Sequence, residues 1–117
     1  MTATNPVLRR ASVMLERAGK KQKASIWTEA SSLLSNPASI RVEVNLGRIS
    51  RIAGEGEAVF VPGKVLGTGV IERKLVVGAF AFSEGAKSKI EASGGSALTI
   101  GEFLKKYPKG SGVRLVK

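Results

Sequence analysis

From Leu75 to Phe82 the chain runs eight residues without a polar side chain, Gly78 among them. This is the longest apolar stretch in the sequence, and it is too short to cross a bilayer, so it reads as a strand buried inside a folded domain. The surrounding segments must supply its cover. A second apolar run, Ala58 to Val61, has no wet face either, and Pro62 with Gly63 is expected to close it.

Between and around these runs the hydrophobic period changes several times. Asn5 and Pro6 suit a helix start, and Leu8, Ala11, Leu15 and Ala18 recur at helical spacing with Arg9, Arg10 and Arg17 off the stripe. That helix is expected to end near Gly19, with a loop carrying Lys20, Lys21 and Lys23, and a second helix is expected from about Ile26 to Leu34. From Ile40 to Leu46 apolar and polar residues alternate, as in a half-buried strand. Leu46, Ile49 and Ile52 or Ala53 then return to helical spacing, leaving Arg48 and Arg51 on the opposite face. Ser83 can cap a helix through about Ala92, and Thr99 with Glu102 forms a capping box for a last short helix that ends at Tyr107 and Pro108. Val113 to Val116 reads as a terminal strand. The expectation is an α/β fold: one irregular domain over 1–117, with a helical N-terminal arm over about 5–35 and a core of alternating strands and short helices over about 40–117.

Composition narrows function further. The chain has 117 residues, 19 Lys and Arg against 9 acids, all Glu, and a formal net charge of +10. A surface this positive attracts polyanions and releases their counterions on contact, so nucleic acid is the first partner to consider and an anionic membrane the second. The membrane reading fails for want of a span. The first 20 residues hold Arg9, Arg10, Glu16 and Arg17 and no apolar block of a signal peptide, which leads to an expectation of a cytoplasmic protein. There is no Cys, His or Asp, which leaves Glu, Lys and Tyr107 for proton transfer, so we expect no catalytic residues, no metal site and no cofactor.

The glycine-punctuated stretch Gly63-Lys64-Val65-Leu66-Gly67-Thr68-Gly69 could cradle an anion on its backbone N–H groups. A nucleotide-binding loop would need Gly at Ala58 and Ser or Thr at Val65, and a dinucleotide fingerprint would need Gly at Glu72. The alternatives that survive are tight turns and a contact with RNA phosphate. The basic residues fall in four groups, 9 to 23, 41 to 64, 73 to 89 and 105 to 117, and the first has six cations against Glu16 alone. A merely solvated surface does not require that imbalance. Trp27 reads as core, and Phe60, Phe80, Phe82 and Phe103 sit in apolar patterns, so recognition should rest on phosphates and RNA shape rather than on base stacking.

The segment Glu43-Val44-Asn45-Leu46-Gly47-Arg48-Ile49, followed by Val61-Pro62-Gly63-Lys64-Val65-Leu66-Gly67-Thr68-Gly69, resembles the archaeal and eukaryotic large-subunit ribosomal protein family eighteen-e. Lys64 through Gly94, with Phe82-Ser83, Ala86, Ile90 and Gly94 at their spacings, resembles the signature shared with the bacterial large-subunit protein fifteen. Asn5-Pro6, Trp27 and Gly112-Val113-Arg114 also fit, and the likeness is to the short archaeal form, without the basic N-terminal extension of the bacterial proteins. The resemblance implies an irregular α/β fold, a place in ribosomes, and large-subunit ribosomal RNA and neighbouring large-subunit proteins as partners, with no small-molecule substrate. Residues and resemblance together nominate Lys20, Lys21, Lys23, Asn45, Arg48, Arg51 and Lys64 for RNA contact, with Arg9, Arg10, Lys109 and Arg114 behind them. Two rivals remain: a nucleic-acid binder outside the ribosome, and a small-molecule enzyme using Lys64 with Glu72.

Overall fold

A computed structural model of the chain describes residues 6–37 and 41–117. Asn5 and Ile40, expected to open the first helix and the first strand, lie outside the described residues. The elements are α1 (Pro6–Gln22), α2 (Ser25–Leu34), β1 (Val42–Asn45), α3 (Leu46–Ile52), β2 (Ala58–Leu66), β3 (Val76–Phe82), α4 (Glu84–Ala92), β4 (Ser96–Leu98), α5 (Ile100–Lys106) and β5 (Val113–Leu115). The strands form one sheet in the order β1-β2-β3-β4, with β5 also on β2, and every pairing is parallel. A parallel sheet needs cover on both faces, and alternate side chains of β2 supply two separate cores. Val59, Val61 and Val65 point into a cluster with Ile49 of α3 and Ala86 and Ile90 of α4. Ala58 and Phe60 point the other way, into a cluster with Ala11 and Leu15 of α1, Trp27, Ala30 and Leu34 of α2, and Phe103 of α5. The fold is therefore α/β, with helices on both sides of the sheet, and the two N-terminal helices are one of its layers. Ser12 and Ser31 join α1 to α2 by a side-chain hydrogen bond of 3.0 Å and a Ser31 hydroxyl bond to the Ser12 carbonyl at 2.8 Å.

Three elements depart from the sequence reading. α1 runs through Gly19 to Gln22, because Gly19 is there for helix packing: a Cβ on it would lie 2.6 Å from Thr28 Cγ2. β2 continues through Pro62 and Gly63 to Leu66, because its register shifts between Val61 and Lys64, and a proline without an N–H is tolerated at such a bulge. The same irregularity lets β5 pair with Ala58–Phe60 and β1 with Gly63–Leu66 along one edge of β2. β4 was not expected at all. Phe80 and Phe82 are only half-buried, whereas Trp27, Phe60 and Phe103 are fully buried and stack edge-to-face or tilted, with centroids 5.3 to 6.0 Å apart.

Candidate nucleic-acid interface

In open parallel sheets the backbone turns at the carboxyl ends of the strands leave a crevice where ligands bind. Here β1 ends at Asn45, β2 at Leu66 and β3 at Phe82, and the three turns that follow meet backbone to backbone. The Gly47 N–H donates to the Thr68 carbonyl at 3.1 Å. Gly69, at φ 108°, lies so close to Gly47 that any Cβ would collide with the Gly47 nitrogen. A Cβ on Gly67 would stand 3.0 Å from the Ala86 nitrogen at the start of α4. The glycine-rich stretch is thus a packing junction in which the missing side chains let three turns meet. Lys89 closes it from α4, donating from Nζ to the carbonyls of Gly67 at 2.7 Å and Gly69 at 3.0 Å.

Around this junction stand cations. Lys64 is exposed and lies between Glu43 and Ala81 in register, with no ion pair to Glu43. Arg51 folds back along α3, its Nη1 3.6 Å from the point where a Gly47 Cβ would stand. Asn45 precedes α3 as its N-cap in extended conformation, yet its exposed side chain makes no capping bond and stays available. Arg48 turns away, donating to the Lys117 main-chain oxygen at 2.9 Å. Asn45, Arg51 and Lys64 therefore share the carboxyl end of the sheet, and Arg48 leans toward the C-terminus.

The remaining nominated residues lie elsewhere. Lys20, Lys21 and Lys23 close α1 at the other end of the sheet, and Lys109 follows α5 in the turn that packs against the start of α2. Arg114 on β5 pairs with Glu57 at 3.4 Å, so it is partly neutralised. Arg9 and Arg10 are exposed on the first turns of α1. No hydrogen bond or ion pair among the described residues joins Lys64 to Glu72. No group of three or more His, Cys, Asp or Glu that could hold a metal occurs among them, and no described helix is long and apolar enough to cross a membrane.

Two cations that the sequence reading did not single out are structural. Lys89 is one. Arg73 is the other, donating to the Ser50 carbonyl at 3.0 Å and to the Ala53 carbonyl, where the end of α3 leaves acceptors unfilled. Neither has a local sequence signal, since each acts on a segment about twenty residues away. Glu57, half-exposed, and Glu102, exposed, are carboxylates held below their ordinary value of 4.5, Glu57 by the Gly54 N–H and then Arg114, Glu102 by the Thr99 N–H and then the Thr99 side chain. Both serve local structure.

Comparison with known proteins places the chain in a family. Residues 43–98 match a family model described as ribosomal proteins, the 50S proteins L15 and L18e together with a 60S counterpart, and the matched span runs from β1 through β4 and includes the whole glycine junction. The chain is 45% identical to the large ribosomal subunit protein eL18 of Methanococcus maripaludis, over 97% of this chain and 95% of the relative. It is 43% identical to the protein of that name from Archaeoglobus fulgidus, over 99% of each, and 43% identical to that of Methanoregula boonei, over 97% of this chain and 94% of the relative.

Proposed function

Because the chain belongs to the eL18 family of large ribosomal subunit proteins, we propose that it is a structural constituent of the large subunit that holds folded ribosomal RNA through phosphate contacts. The role is structural and not enzymatic. The observation that carries the RNA reading is the carboxyl end of the sheet, where the backbone junction packed through Gly47, Gly67 and Gly69 is flanked by Lys64, Arg51 and the uncommitted Asn45. The cations there can neutralise phosphates, and the amide of Asn45 can donate to a phosphate or a 2′-hydroxyl. Trp27, Phe60 and Phe103 are fully buried and Phe80, Phe82 and Tyr107 half-buried, so no aromatic ring among the described residues stands fully exposed, which favours recognition of shape and phosphate over splayed bases.

Crosslinking mass spectrometry on salt-washed large subunits tests the reading. RNA crosslinks on peptides containing Lys64 and Arg48–Arg51 are the expected result, whereas a chain missing from washed subunits would leave a free-standing RNA binder as the better account.

A further inference from the structure

Of the 19 cations six are tied to the fold, and the other thirteen include one group of six lysines besides those at the glycine junction, on α1 and around α4. Arg41, Arg48, Arg73, Lys89, Arg114 and Lys117 each donate to a carbonyl or carboxylate of the fold, and these contacts commit them. Lys20, Lys21, Lys23, Lys105, Lys106 and Lys109 are exposed and form no ion pair or hydrogen bond among the described residues. Those six come from two segments far apart in the chain, and the fold joins the two turns that carry them. Trp27, in the first turn of α2, donates from Nε1 to the Pro108 carbonyl at 2.9 Å, and a Cβ on Gly110 would lie 2.5 Å from Ile26 Cγ2. These contacts dock the turn that follows α5 against the turn between α1 and α2. The result is a lysine cluster beside the amino end of β5.

That end is opposite the glycine junction. All strands are parallel, so the turn leading into β5 and the turns leaving β1 and β2 lie at opposite ends of the sheet. The nine-residue β2 alone separates them by roughly 25 Å at about 3.3 Å per residue. A single RNA phosphate track would not need both ends.

Lys23 adds an independent observation. It is the one described non-glycine residue at positive φ, 53°, and it occupies the left-handed position after α1, where the Ala24 N–H reaches back to the Gly19 carbonyl at 2.9 Å. Glycine is the residue that this helix-ending turn favours, so a lysine there is held against its backbone preference. Strain of this kind concentrates where a side chain is needed for contact.

Resting on the RNA reading above, we infer that the chain binds two RNA segments at once: one at the glycine junction and a second, duplex segment on the lysine cluster formed by Lys20, Lys21, Lys23, Lys105, Lys106 and Lys109. The protein is then a strut between RNA segments that approach from opposite ends of the sheet.

The test is a titration of the full chain with two differently labelled copies of a generic RNA duplex of about two helical turns, read by fluorescence coincidence and by stoichiometry. Wild-type protein should bring both labels into one complex, with two duplexes per chain. Replacing Lys20, Lys21, Lys105 and Lys106 with Ala should leave one duplex per chain and abolish coincidence, and N45A/R51A/K64A should likewise leave one. K23G should lower affinity at the cluster while the melting temperature holds or rises, an outcome that loss of folding cannot mimic. A wild-type stoichiometry of one, lost only in N45A/R51A/K64A, would overturn the two-segment inference and leave the RNA reading standing. A flat wild-type titration would overturn both.

Discussion

Gly78 sits in the middle of β3 with the Phe103 ring against it, and a methyl group there would overlap the ring carbons. Phe103 is itself clamped between Trp27, Phe60 and Tyr107, so it has little room to retreat. Gly78→Ala should cost about 1–3 kcal/mol, as overpacking does, and shift the urea midpoint accordingly. Ionisation sets a second residue-scale expectation. Glu57 and Glu102 ionise more readily folded than unfolded, so their contribution is complete above the ordinary 4.5 and is lost as pH falls through their lower folded values. Stability measured by urea from about pH 6 down to about pH 3 should fall less steeply in E57Q/E102Q than in wild type, with the double variant already weaker at the upper end. An unchanged slope would mean that other carboxylates dominate the acid limb.

Among the elements, α5 has only seven residues, and its start depends on Thr99 accepting from the Glu102 N–H while Glu102 accepts from the Thr99 N–H. Thr99→Ala should cost about 1 kcal/mol, and NMR titration should find the Glu102 carboxyl nearer its ordinary value. This box was legible in the sequence because capping is local chemistry. So were the helix from Ser83, the strand from Leu75 and the burial of Trp27. The misreadings share one cause, which is that a residue's meaning was set by a distant segment. Pro62 looked like a strand end, but the bulge it occupies exists because two short strands divide one edge of β2. Gly19 looked like a helix stop, but it marks where Thr28 approaches. β4, three residues long, is too short to display any period and is defined by its pairing with Val76–Gly78. The candidate site divides the same way: Lys64, Asn45 and Arg51 stand out near glycines in the sequence, while the approach of the turn after α5 to the turn between α1 and α2 depends on the contact of Trp27 with Pro108.

At the scale of the whole molecule, net charge predicts attraction to RNA but says nothing about which cations meet it, and salt dependence separates them. An exposed, unpaired cation releases counterions from RNA when it binds, whereas one already held by a carbonyl contributes mainly to the fold. If one bound duplex has about six phosphates neutralised, the logarithm of affinity should fall with the logarithm of salt at a slope near −5. K64A/R51A should weaken binding and flatten that slope by roughly 2, since two phosphate contacts are lost. Arg73→Ala and Lys89→Ala remove equal charge but unfasten the end of α3 and the glycine junction, so they should lower the urea midpoint and leave the slope nearly unchanged when binding is measured on the folded fraction. Should all four cations flatten the slope alike, the protein would be meeting RNA as a diffuse positive body, and the division between structural and RNA-facing cations on which the interface is built would fail.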